Sequence, residues 1–81
     1  NFEHANVDNL LKMFDMHEKE AKSLVENKLS LPSYDQCLKA SHVFNILDAR
    51  GAISVAQRAG YIGRIRDITK AAAGLWLDSQ S

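Results

Sequence analysis

Apolar residues recur along this chain at intervals of three and four, and no segment shows the strict alternation of a half-buried strand. From about residue 6 to 28, Val7, Leu10, Leu11, Phe14, Ala21, Leu24 and Val25 share one side of a helix, with Asn6 in the position of a cap. The other side carries Asp8 with Lys12, Asp15 with Lys19 and Glu18 with Lys22, each acid four residues before its lysine. That order supports a helix by about 0.2–0.5 kcal/mol per pair, so these charges are expected to form a solvated face.

The run Leu29-Ser30-Leu31-Pro32 predicts a break, because the residue before a proline is disfavoured in helical geometry while proline is tolerated in a helix's first turn. A second helix follows from about Pro32 or Ser33 to Ala49, with Ser33 and Gln36 at capping-box spacing. Its apolar residues nearly encircle it. Tyr34, Cys37, Leu38, Ala40, Phe44 and Leu47 form one wide face, and Val43 and Ile46 reach toward the other side, which predicts a central helix with more than one neighbour. Gly51 stands where a left-handed residue ends a helix, and Ser54 with Gln57 offers another capping box for a third helix from about Val55 to Leu77. The expected fold is all-α, a small bundle of three main helices in which the second and third form a helical hairpin.

Length and composition keep this picture to one domain spanning residues 1–81. A chain of 81 residues, 46% hydrophobic and 25% charged, has the balance of a globular domain and not of a disordered tail. It contains one cysteine, Cys37, which cannot form an internal disulfide, and no apolar run long enough to cross a bilayer. A reducing, cytoplasmic setting and no membrane partner are expected. The start at Asn1 instead of methionine fits a C-terminal fragment of a longer chain.

Candidate chemistry narrows quickly. The run His17-Glu18-Lys19-Glu20-Ala21 opens like a zinc-protease helix but lacks the second histidine four residues on. A di-iron bundle needs a glutamate three residues before a histidine, and Asn1, Phe14 and Lys39 occupy those positions ahead of His4, His17 and His42. Cys37 and His42 lie roughly 140° apart around one helix, too far to form a nucleophile and base, so Cys37 reads as a core thiol. Gly60-Tyr61-Ile62-Gly63-Arg64 lies in a helical pattern and has neither the glycine spacing nor the lysine of a phosphate cradle. No catalytic, metal or cofactor-binding residue is therefore expected.

Charge is balanced overall but unevenly placed: residues 1–48 hold eight acids and five lysines, and residues 49–81 hold five basic residues and two acids. Arg64, Arg66 and Lys70 in the positive half are candidate contacts to a partner or to nucleic acid. Arg64 and Arg66 project about 160° apart, which argues against one flat phosphate backbone meeting both. Trp76 is expected at the end of an apolar stripe made by Ile62, Ile65, Thr69 and Ala72 with Arg58, as a packing residue. Ala56, Gly60, Gly63, Ala71 and Gly74 lie on the side away from that stripe, either tolerated in water or pressed against a partner. Asp48 and Arg58 both fall where their helices should be apolar, next to the turn joining them. They are expected to point inward as an ion pair that fixes register, the alternative being that Asp48 caps the turn and Arg58 pairs elsewhere.

FNILDARGAIS at 44–54, continuing through Arg58 into YIGRIR at 61–66, closely resembles the alpha chain of the heterotetrameric bacterial glycyl-tRNA synthetases. NFEHANVD at 1–8, EKEA at 18–21 and LPSYDQCLKASH at 31–42 extend the resemblance over nearly the whole chain. Gln57, where that family commonly has glutamate, and the final GLWLDSQS depart from its pattern. The resemblance implies a class II parent enzyme that joins glycine to its tRNA using ATP and Mg, with a beta chain and a second alpha chain as partners and tRNA in the complex. None of that class's ATP- or glycine-binding motifs matches a position here. The fragment alone is thus expected to be inactive, a C-terminal helical domain that braces the catalytic domain of its own chain and docks on partners. The competing reading is a freestanding helical module that contacts nucleic acid or protein through its basic C-terminal half.

Overall fold

A computed structural model describes the backbone of residues 2–80 and the side chains of residues 6–80. Three helices run in sequence, α1 (Phe2–Glu26), α2 (Ser30–Ala49) and α3 (Val55–Gln80). There is no strand among the described residues. The all-α bundle and the α2–α3 hairpin follow the periodicity of the sequence.

The helix ends differ from expectation where local hydrogen bonding overrides composition. Asn6 is not a cap but lies inside α1, which starts at Phe2. At the other end Lys28 takes a left-handed conformation with φ 61°. The Leu29 N–H donates to the Leu24 carbonyl at 2.8 Å and the Lys28 N–H to the Val25 carbonyl at 3.0 Å. This pair of crossed bonds satisfies the carbonyls of the last turn and reverses the chain so tightly that α2 begins at Ser30. Pro32 therefore sits inside the first turn, where its missing N–H is not needed, and Leu31 is helical despite preceding it. Ser33 is buried beneath that turn with its hydroxyl donating to the Ser30 carbonyl at 2.8 Å, so it does not cap α2. Gln36, its expected capping partner, instead joins α2 to α1 through a 2.7 Å hydrogen bond with His17 Nδ1.

The second turn keeps its predicted chemistry. Gly51 has φ 69°, and the Gly51 and Ala52 N–H groups donate to the Asp48 and Leu47 carbonyls, each at 3.0 Å. Ser54 and Gln57 then form the reciprocal capping box: the Ser54 N–H donates to Gln57 Oε1 at 3.0 Å and the Gln57 N–H to Ser54 Oγ at 3.1 Å.

The core is continuous and includes Leu10, Phe14 and Ala21 from α1, Cys37, Ala40, Val43, Phe44 and Leu47 from α2, and Ile68 and Ala72 from α3. Its centre is aromatic, with one ring from each helix. Phe14 meets Tyr61 edge-on at 4.8 Å between centroids, and Tyr61 lies 6.0 Å from Phe44. The Cα trace measures 50 × 21 × 14 Å, so each long helix keeps part of its surface in water. Leu38, assigned to the wide inner face of α2, is 67% exposed for this reason, while Val43 is buried and Ile46 half-buried.

An ionic cluster at Arg64 and candidate docking faces

α3 inserts Tyr61, Arg64, Ile65, Ile68, Ala72 and Leu75 toward the other helices. This stripe is turned by roughly 60° from the one that Arg58, Ile62 and Trp76 suggested. Ile62 and Trp76 are both 41% exposed as a result, so Trp76 does not close the core.

The rotation brings Arg64 onto α1. Its Nε donates to Glu18 Oε2 at 2.9 Å and its Nη2 to Glu18 Oε1 at 2.7 Å, a two-pronged contact, and Nη2 also reaches Asp15 Oδ1 at 2.8 Å. The guanidinium carbon lies 4.8 Å from the Phe14 ring centre and 5.0 Å from that of Tyr61. Glu18 retains only 14% of its side-chain exposure. The hydrogen bond from Arg64 holds the Glu18 carboxyl below its ordinary range, against the opposing effect of burial. The bond to Glu18, followed by that to Asp15, likewise raises the Arg64 guanidinium above its ordinary value. Asp15 and Glu18 are thus committed to a residue on another helix, and the solvated intrahelical pairs with Lys19 and Lys22 are not what organises this face. Among the described residues, the ion pair at helical spacing is Lys39 with Asp35, at 3.3 Å.

At the α2–α3 junction Arg58 Nη2 lies 3.2 Å from Asp48 Oδ2. The expectation that both groups point inward is corrected, because Arg58 is 56% exposed and the contact is largely wet. Arg58 lies on the first turn of α3, where its long stem stays in solvent.

Arg66 and Lys70 project from α3 into solvent and have no ion-pair partner among the described residues. The structure does not bring them together with Arg64. On a neighbouring side of α3, a Cβ added to Gly60, Gly63 or Gly74 would meet nothing within 4 Å, so these glycines are not demanded by packing inside the bundle. A separate shallow groove between α1 and α2 is lined by Met13, His17, Leu38, Lys39, His42 and Val43.

Cys37 is buried, and burial pushes its thiol up, with a weaker opposing effect from the Thr69 hydroxyl. The His4 side chain lies outside the described residues. Among those described, no group of three or more His, Cys, Asp or Glu side chains converges in a way that would hold a metal ion. The carboxylates that do converge, Asp15 and Glu18, face a guanidinium. These donors do not fit a magnesium-bound nucleotide. No described helix is long and apolar enough to cross a membrane.

Fold and site together define an all-helical module in which, among the described residues, the dense polar cluster at Arg64 joins its own helices, leaving large apolar residues and charges of both signs outward. The family model described as glycyl-tRNA synthetase alpha subunit matches residues 1–81. The chain belongs to that family.

Proposed function

We propose that these residues are the C-terminal helical domain of a glycyl-tRNA synthetase alpha chain and that they act by docking. The observation that carries the reading is the family match over residues 1–81 to a bundle whose polar cluster is structural and whose exposed surface is rich in large apolar residues. An apolar surface distributed along helices serves packing against other protein better than proton transfer.

On this reading the parent enzyme, a cytoplasmic synthetase, attaches glycine to its tRNA. ATP and Mg are used by the catalytic domain of the same chain, since no residue set described here accommodates them. The partners are that catalytic domain, a beta chain and a second alpha chain, with tRNA in the complex. The three helices contribute a rigid brace whose orientation is set by the Arg64 cluster and the two tight turns.

The test is to compare the full-length alpha chain with a version lacking these residues. Loss of assembly with the beta chain, with glycine-dependent pyrophosphate exchange absent from the isolated 81-residue domain, is the expected result. Unchanged assembly after the deletion, or exchange by the isolated domain, would reject the reading. The freestanding-module alternative is separated by the mass of the native gene product, which would be about that of this chain.

A further inference from the structure

We propose that the contact of Arg64 with Glu18 and Asp15 is a rotational latch. It holds α3 in one of two seats on the α1–α2 pair, and its release lets the helix turn by roughly 60° into a second seat that buries Ile62 and Trp76. This device is independent of what the domain docks against.

The second seat lies in the residue spacing of α3. A turn of roughly 60° carries each position to the azimuth now held by the residue three places further on. Ile62 then faces where Ile65 does, Ile65 where Ile68 does, Thr69 where Ala72 does and Ala72 where Leu75 does. Trp76, one turn beyond Ala72, comes inward, and Tyr61 moves to the azimuth of Arg64. The exchange turns Tyr61, Ile68 and Leu75 away from the core and brings in Ile62, Thr69 and Trp76. Ile62 and Trp76 are each 41% exposed in the present seat, so their burial offsets what is lost. Isoleucine replaces isoleucine and tryptophan replaces tyrosine, which leaves threonine in exchange for Leu75 as the main apolar deficit.

Apolar packing therefore specifies the present phase of α3 weakly. Among its described residues the helix buries Ile68 and Ala72, whereas α2 buries Cys37, Ala40, Val43, Phe44 and Leu47. Ile65 and Ala72 belong to both stripes. The polar contacts separate the two seats sharply. A guanidinium fork meets a carboxylate well from a narrow range of directions, while apolar contact is tolerant of direction. In the present seat Arg64 Nε and Nη2 reach both oxygens of Glu18, and Nη2 also reaches Asp15. In the second seat Arg64 turns to the azimuth of Asp67, into solvent, and Glu18 at 14% side-chain exposure loses its partner. Leaving a half-dry carboxylate unpaired is costly, so the latch closes on one rotation and excludes the other.

The experiment reads single side chains in the full-length alpha chain by hydroxyl-radical footprinting with mass spectrometry. The parent is compared with Arg64→Met and with the double variant Asp15→Asn, Glu18→Gln. In both variants labelling of Tyr61 should rise while that of Trp76 falls to about half, the value for two equally populated seats of which one buries it. Phe44 and Leu47 should stay protected, since α2 does not move. Adding Ile62→Lys, at a position exposed in the present seat, should restore the parent pattern at Tyr61 and Trp76, because a lysine there is poorly accommodated in the second seat. Unchanged labelling at Tyr61 and Trp76 would overturn the proposal, as would a rise at both, which means loosening without a turn. Failure of Ile62→Lys to reverse the pattern would overturn it too. So would labelling of Phe44 and Leu47 in both variants, since a bundle that opens has no second seat to receive the helix. Trp76 already protected in the parent would count equally against it, because burying that side chain then adds nothing to the second seat.

Discussion

Exchanging Arg64 for methionine keeps most of the stem that covers Phe14 and Tyr61 but removes the charge that Glu18 and Asp15 share. The cost depends on how dry the site is: breaking a buried pair costs about 3–5 kcal/mol, whereas an exposed pair contributes about 0–1 kcal/mol. Glu18 is 14% exposed but Arg64 is 37% and Asp15 is 66% exposed, which places the Glu18 contact between these limits and the Asp15 contact at the lower one. Loss of the two-pronged bond and of the guanidinium's position against the rings should together cost about 2–3 kcal/mol. For a chain of this size that corresponds to a fall in Tm of roughly 10–20 °C, measurable by far-UV circular dichroism during heating or in urea. Glu18→Gln should cost less, and Asp15→Asn under about 1 kcal/mol.

The pH dependence supplies an independent check. The folded Glu18 carboxyl is held below its ordinary value of 4.5, so its contribution is fully present above that value and is lost as pH falls through the lowered one. The raised Arg64 value acts in the opposite sense, and its contribution persists until strong alkali. The stability gap between the parent and Arg64→Met should therefore narrow in acid. Effects of Glu18→Gln and Arg64→Met that add within about 0.5 kcal/mol in the double variant would refute the argument, because groups in direct contact must couple.

Lys28 has φ 61° where a side chain is strained, so Lys28→Gly should raise stability by roughly 1 kcal/mol in urea denaturation, and Gly51→Ala at φ 69° should lower it by a similar amount. Gly60→Ala, Gly63→Ala and Gly74→Ala should each stabilise the isolated domain by about 0.5–1 kcal/mol, since a methyl group there meets open space; a loss would show that these glycines are already packed. Asp48→Asn and Arg58→Met should each cost under about 1 kcal/mol because water reaches the pair, and a cost of several kcal/mol would mean that it is drier than its exposure indicates. The Cys37 thiol should resist a thiol reagent in the native protein and react on unfolding; rapid native labelling would contradict its burial.

What the sequence determined by itself is local. Helical periodicity set three helices and no strand, and Gly51 with the Ser54–Gln57 box defined the second turn, because each depends on residues within one or two turns of chain. The family resemblance was equally legible, carried by contiguous stretches such as FNILDARGAIS and YIGRIR. The rotational phase of α3 was not. Small and apolar residues occur around most of that helix, so several inward faces were compatible with its pattern, and the choice among them was made by the neighbours. α1 presents Asp15 and Glu18 beside Phe14, and only a helix turned to offer Arg64 and Tyr61 satisfies both the carboxylates and the ring, with partners 46 and 49 residues apart in sequence. The first turn was hidden for a related reason. Lys28 carries no compositional sign of a left-handed residue, and its strained conformation is maintained by the crossed backbone bonds and by the packing of α1 against α2 that the reversal permits. Interactions over such distances depend on where whole helices come to rest, which only the packed core decides.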